Sequence, residues 1–133
     1  NPHRDVAEQV DFLSADHFSA DFYLTQVVSH HSVDRVAAFL EECDKRNVEA
    51  PGVFGVFYYW SAQPKTLGML KEFFPVPVEE LTREFDGGAT PDEVLAQTLQ
   101  ALRSAGAQKV YVSNLGHRRA QDRLAEVVER SGI

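Results

Sequence analysis

Three short apolar segments constrain the fold more strongly than any other feature of this sequence. They lie at about residues 20–28, 52–59 and 109–115 and are rich in the β-branched and aromatic side chains that strands favour. The second segment is continuously apolar and does not alternate, which is the pattern of a parallel strand covered on both faces. We therefore predict a buried parallel sheet.

Segments with helical spacing of apolar residues separate these strands. The clearest local signal is Thr90-Pro91-Asp92-Glu93, where Thr90 suits the N-cap, Pro91 the first helical position and Glu93 the end of a capping box. Ser32 is the predicted N-cap of an earlier helix. Further helices are predicted at about residues 5–14, 67–74, 79–85 and 120–128. One helix followed by three strand-then-helix units predicts an α/β fold with right-handed crossovers.

The predicted sheet has only three strands, so both of its edges lack a strand partner, which favours association. Two architectures solve this problem: a small doubly wound sheet that assembles into oligomers, or part of a (β/α)₈ barrel. A complete barrel takes about 250 residues, and this chain has 133. The chain starts at Asn1 without an initiator Met, so we expect upstream sequence in the same polypeptide.

Composition narrows the classes of partner. The formal net charge is −7, which argues against a nucleic-acid or anionic membrane surface. Cys43 is the only cysteine, so an internal disulfide or a multi-cysteine metal site is excluded. No apolar run approaches the roughly 20 residues that span a bilayer, and the first residues lack the apolar region of a signal peptide. We expect a cytoplasmic protein.

Ligands of parallel α/β folds gather where the strands end. Gln26 ends the first strand, and its amide suits the polar edge of a pterin or nicotinamide; the alternative is a Gln that satisfies neighbouring loops. Four aromatic residues, 57–60, end the second strand. Alternate members, Tyr58 and Trp60, are candidates for stacking on a planar heterocycle, and core filling is the alternative.

Charged residues give weaker signals. Arg118 and Arg119 follow the third strand, where they could hold a carboxylate or phosphate or simply form a solvated helix end. His30 and His31 are not predicted to bind a metal, because adjacent residues rarely ligate one ion and no Glu or Cys lies at ligand spacing. The acidic run is interpreted as a solvated helix face, and its members are Glu79, Glu80 and Glu84.

Several segments, in order along the chain, resemble the methylenetetrahydrofolate reductase family. Residues 20–26, ending in Thr25-Gln26, resemble a family strand that ends in Thr-Gln. Phe54-Gly55-Val56 corresponds to a family strand with Pro-Gly-Ile or Pro-Gly-Leu. The stretches 76–78 and 85–87 resemble an Ile-Pro segment that runs into Phe-Asp-Gly, and Asn114 lies in 111–115, which resembles a Tyr-Thr-Leu-Asn strand.

The resemblance implies that residues 1–133 are the C-terminal part of one (β/α)₈, or TIM, barrel domain, with the other half of the barrel as partner. It also implies reduction of 5,10-methylenetetrahydrofolate to 5-methyltetrahydrofolate, a step of one-carbon metabolism, with NADH or NADPH as hydride donor. Gln26 would contact the pterin or nicotinamide, Asn114 would lie at the last barrel strand, and Arg118 or Arg119 would meet the folate tail. The family's catalytic acids lie outside this chain.

Departures from the family pattern concern the flavin. The family has Tyr-Pro and His before the first helix and a Lys ahead of the Thr-Gln strand. This chain keeps Pro2 and His3, which makes His3 the candidate flavin or nucleotide contact, but it has Ala15 in place of the Lys. FAD is therefore disfavoured, and direct hydride transfer is the expectation. The alternatives are a non-enzymatic half-barrel that binds a pterin or nucleotide, and an unrelated barrel fragment.

Overall fold

The computed structural model describes residues 4–133 and shows an α/β fold with a three-stranded sheet. The strands are β1 (Tyr23–Val27), β2 (Gly52–Phe57) and β3 (Val110–Ser113). The helices are α1 (Val6–Leu13), α2 (Val33–Lys45), α3 (Pro64–Leu70), α4 (Val78–Asp86), α5 (Pro91–Ser104) and α6 (Ala120–Ser131), with a 3₁₀ turn at His30–Ser32. None of the helices in this range is long and apolar enough to cross a membrane.

The sheet has the strand order β1-β2-β3, and both pairs are parallel. The predicted parallel α/β arrangement is thus confirmed. β2 and β3 pair in continuous register from Phe54 with Val110 to Phe57 with Ser113. The β1–β2 register shifts between Leu24 and Val27, so β1 is irregular just where Gln26 lies.

One face of the sheet is covered by helices and forms the main core. Phe54, Val56 and Tyr58 point to this face from β2 and the residue just after it, and each is at most 3% exposed. Their partners come from α2, α5 and α6 and include Val36, Leu95, Leu99, Leu102 and Val127. Burial of these apolar side chains is the dominant contribution to the stability of such a fold.

The opposite face is covered less completely. A second cluster packs Tyr59 against α3 and α4 through Leu67 and Leu81. β3 is only partly buried along its whole length, and Leu24 of β1 is 62% exposed.

Two predicted helix starts have different outcomes. The capping box of α5 is confirmed: the Glu93 amide donates to Thr90 Oγ1 at 3.2 Å, and the Thr90 amide donates to Glu93 Oε2 at 2.8 Å. Ser32 occupies the N-cap position of α2 as predicted, but its side chain makes no cap hydrogen bond to that helix. Ser29 instead caps the preceding 3₁₀ turn, and Ser32 Oγ accepts from the Ser29 amide at 3.0 Å.

Candidate functional site

A groove of about 990 Å³ runs along β1, one of the two edge strands of the sheet. It is bordered by α1, α2, all of β1 and the segment 75–80. Tyr59, just after β2, and Tyr111 of β3 also contribute to the lining. Its volume lies in the range of small-molecule sites, which is roughly 300–1,000 Å³. The groove is therefore the candidate binding site of the described chain.

Gln26 is exposed and lines this groove, as expected of a ligand contact at a strand end. Two hydrogen bonds hold the preceding residue, Thr25, in place. Tyr111 Oη donates to the Thr25 carbonyl at 2.8 Å, and the Gly55 amide donates to Thr25 Oγ1 at 3.1 Å. A polar side chain held on a rigid strand end is well suited to orient a ligand.

Charged side chains surround the groove. Arg4, Arg35 and Lys71 are among the residues that line it, and Glu79 and Glu80 line it from the first turn of α4. The Arg35 guanidinium donates to the Arg4 carbonyl at 3.1 Å, so these two residues are held together. Cations beside an apolar groove suit a planar ligand that carries an anionic tail.

Tyr59 was not a candidate from the sequence, yet it lines the groove. Its side chain is buried, and its hydroxyl has no hydrogen-bond partner among residues 4–133. Burial raises the pKa of this phenol, so the hydroxyl stays protonated and can donate. A buried hydroxyl without a partner is rare in proteins, which makes this group a candidate donor to a ligand.

Tyr58, the predicted stacking residue, lies in the helix-covered core with 3% exposure. Its hydroxyl donates to Asp92 Oδ1 at 2.6 Å, and burial followed by that hydrogen bond raises the pKa of the phenol. Successive side chains of a strand point to opposite faces. The structure therefore brings Tyr59 to the groove and Tyr58 to the core, which was the alternative considered for it.

Trp60 and Asn114 form a separate cluster with Arg123, away from the groove lining. Trp60 Nε1 donates to the Asn114 carbonyl at 2.9 Å, and Asn114 Nδ2 donates to the Tyr58 carbonyl at 3.0 Å. The Arg123 guanidinium lies 4.5 Å from the Trp60 ring centroid. These polar groups join the ends of β2 and β3, so the structure does not bring them together with Gln26.

The remaining predicted contacts also lie apart from the groove. Arg118 and Arg119 are exposed, and Arg119 is 3.5 Å from carboxylates of both Asp122 and Glu126 on α6. Exposed ion pairs of this kind contribute little. His3, the predicted flavin or nucleotide contact, lies outside the described residues. The members of the predicted binding set that the structure describes are thus not brought together in one place.

Comparisons of the chain with known protein families, with curated proteins and with solved structures found no match. These comparisons therefore do not assign the chain to a family. Support for a function comes instead from the groove, from Gln26 and from the resemblance of the segments quoted above.

No Glu lies at ligand spacing from His30 and His31 in the sequence, but the fold brings Glu84 next to both of them. Glu84 Oε1 is 2.6 Å from His30 Nε2 and 2.7 Å from His31 Nε2. The Glu84 side chain is 20% exposed, so it is not part of a fully solvated face either. The contact joins residues 54 positions apart, which is why motif spacing could not reveal it.

Cys43 lies on the buried face of α2. Burial, the largest effect, raises the pKa of its thiol above the usual 9.0, although a hydrogen bond with Tyr23 acts in the opposite direction. The folded state therefore favours the neutral thiol, and its reaction with thiol reagents is limited because the thiolate is the nucleophile.

We predict that Cys43 reacts with a disulfide reagent much more slowly in the native chain than in urea at the same pH. The raised pKa also predicts how Cys43 affects the free energy of unfolding. Its contribution should be constant below about pH 9 and should become destabilising as the pH rises further, because the unfolded thiol then ionises more readily than the folded one. Labelling kinetics and urea unfolding across this pH range test both statements. Rapid stoichiometric labelling of the folded chain near neutral pH would contradict them.

Proposed function

We propose that this chain is the C-terminal part of a (β/α)₈ reductase barrel. In this proposal the complete barrel reduces 5,10-methylenetetrahydrofolate to 5-methyltetrahydrofolate with NADH or NADPH. The observation that carries the proposal is exposed Gln26 at the end of β1, inside a groove of about 990 Å³. Its position agrees with the Thr-Gln strand ending of the resemblance.

The partial covering of the sheet supports the barrel architecture. Helices α2, α5 and α6 lie on one face, as the outer ring of helices does in a barrel. The other face is covered by α3 and α4 around Tyr59, but it carries exposed Leu24 on β1. In a complete barrel this face would meet side chains from the remaining strands, which would also pair with the edges of β1 and β3.

The groove offers groups that suit both reactants. Gln26 and the Tyr59 hydroxyl supply hydrogen bonds for the edge of a pterin or nicotinamide ring. Arg4, Arg35 and Lys71 suit the carboxylates of a folate tail or the phosphates of a dinucleotide. Positioning a hydride donor against its acceptor is the main task of the protein in such a reaction.

A flavin finds less support than the nicotinamide. The resemblance places a cation at residue 15 for a flavin phosphate, and Ala15 has no charge to offer. The proposal therefore assigns hydride transfer directly from the nicotinamide to the folate. An absorption spectrum of the purified polypeptide with one bound flavin per chain would overturn this version.

The test is NADH oxidation by the full-length polypeptide that carries this chain, with methylenetetrahydrofolate and after a check for flavin. We expect turnover without added flavin. Gln26→Ala should lower kcat/KM about 10- to 100-fold, which corresponds to one or two hydrogen bonds in the transition state. Gln97→Ala is the matched control, because Gln97 is exposed on α5 and outside the groove.

Two results would count against the reductase. No turnover even with added FAD, together with folate binding that Gln26→Ala weakens, would leave a binding half-barrel without this activity. Equal losses in the Gln26 and Gln97 variants would remove Gln26 from the site.

Tyr59→Phe separates binding from folding, since loss of the unpartnered hydroxyl should not destabilise the free protein but should raise KM.

A further inference from the structure

The end of β1 carries a second cluster of chemically competent side chains, next to the groove but independent of the proposed reductase activity. His30 and His31 lie in the 3₁₀ turn that follows β1, and Glu84 reaches them from α4. One ligand atom from each residue lies within 4.8 Å of the others. The three side chains are 15%, 21% and 20% exposed, so they are sheltered yet reachable.

The tight turn explains how neighbouring histidines converge. Ser29 caps the turn through a hydrogen bond to the His31 amide, and the two imidazole rings lie side by side with centroids 3.9 Å apart. Both rings direct Nε2 at the same carboxylate oxygen, Glu84 Oε1. Adjacent residues in an extended segment would point to opposite sides, but this turn brings both rings to one point.

A contact at the other ring nitrogen, Nδ1, also orients His30. Its Nδ1 is 2.8 Å from the hydroxyl of Thr98, a residue of α5 that is 3% exposed. A metal-bound histidine commonly donates its second ring N–H to such an acceptor, which fixes the tautomer and the ring direction. With Nδ1–H donated to Thr98 Oγ1, the lone pair of Nε2 is available to a metal ion.

Glu84 provides the observation that a purely structural hydrogen-bonded cluster leaves unexplained. Oε1 receives both imidazole contacts, while Oε2 is buried and without a hydrogen-bond partner in the described part of the chain. A carboxylate that only held two histidines in place would be expected to use both oxygens. A cation beside the carboxylate would neutralise it and provide a partner for the second oxygen.

We propose that His30, His31 and Glu84 bind a divalent transition-metal ion of the Zn²⁺ type. Two imidazole nitrogens and one carboxylate form a known catalytic zinc ligand set, which leaves a fourth position for water or a ligand. Metal–nitrogen distances of about 2.0–2.1 Å place two tetrahedral ligands roughly 3.3 Å apart. The side chains therefore need only a small outward adjustment. Hard ions such as Mg²⁺ prefer all-oxygen sites and are disfavoured here.

The ion would join two elements that are distant in sequence. It would fasten α4 to the turn after β1, and His31 also lines the groove, so the metal would lie at the rim of the groove. Its open position would then be available to an anionic or carbonyl group of a bound molecule.

The test is titration of the full chain with Zn²⁺ alone in competition with a chromophoric chelator, and with Co²⁺ as a spectroscopic probe. We expect one Zn²⁺ per chain with at least micromolar affinity, reversed by EDTA, and a visible Co²⁺ band typical of four- or five-coordination. Glu84→Gln, which keeps the side-chain shape, should weaken Zn²⁺ binding by at least about 100-fold. Thr98→Val should weaken it about 10-fold, through loss of the orienting contact.

Matched controls are His117→Ala and Glu129→Gln, since both residues are exposed and outside the cluster. These variants should bind Zn²⁺ as the parent chain does. Circular dichroism verifies that each variant is folded, and the titrations of the parent chain need no variant at all. Zn²⁺ binding weaker than micromolar in the parent chain, or binding unchanged by Glu84→Gln, overturns the proposal.

Discussion

Phe54→Ala is expected to lower the free energy of unfolding by about 3–5 kcal/mol, the usual cost of removing a buried phenylalanine side chain. Phe54 is 2% exposed and lies at the centre of the helix-covered face. Its ring packs edge-on against Phe39 of α2, with centroids 6.4 Å apart. The substitution removes this contact and leaves a cavity between β2 and α2. The cavity persists because β2 is paired with a strand on each side and cannot move to fill it.

Urea unfolding followed by circular dichroism measures this loss, provided that the slope of the free energy of unfolding against urea concentration is the same as in the parent chain. Phe54→Leu gives a smaller change, below about 1.5 kcal/mol if the core repacks, and remains measurable if the alanine variant does not fold. Phe73→Ala is the control, since Phe73 is 73% exposed; surface changes of this kind stay within about 0.5 kcal/mol. Similar losses for Phe54 and Phe73 would contradict the assignment of the core.

Local features of the sequence predicted the order and type of the elements well. The capping box at Thr90 and Glu93 identifies the start of α5 because both hydrogen bonds form within four residues. Apolar spacing identifies the buried face of α5 for the same reason, since a helix repeats its contacts every turn. Such signals depend only on neighbours in sequence.

Features that depend on distant neighbours were predicted less well. The choice between Tyr58 and Tyr59 depends on which face of β2 the helices cover, and strand alternation alone does not decide that. The cluster of His30, His31 and Glu84 requires α4 to pack beside the turn after β1. The position of Gln26 beside the groove could be predicted because the end of a parallel strand is a local feature with a general meaning; its contact with a ligand stays a prediction.

The close contact between Gly55 and Tyr111, a residue that lines the groove, supplies the second large effect. Gly55→Ala is expected to destabilise the chain by about 1–3 kcal/mol, because the new methyl group has no room. A Cβ at this position would lie 2.5 Å from the hydroxyl oxygen of Tyr111 and 3.2 Å from the carbonyl oxygen of Thr25. The Tyr111 ring would have to move, and its hydrogen bond to the Thr25 carbonyl would be lost.

Gly68→Ala is the matched control for this prediction. Gly68 lies in α3 with nothing within 4 Å of an added Cβ, so alanine there should stabilise the chain by up to about 1 kcal/mol. The two Gly-to-Ala changes should therefore change the free energy of unfolding in opposite directions.

In a Tyr111→Val background the cost of Gly55→Ala should fall to well under half, because the clashing ring is gone. An unchanged cost in that background would show that Tyr111 does not determine the need for glycine at position 55. Because Thr25 precedes Gln26, loss of the Tyr111 hydrogen bond should also weaken ligand binding in the groove, and Gly68→Ala should leave that binding unchanged.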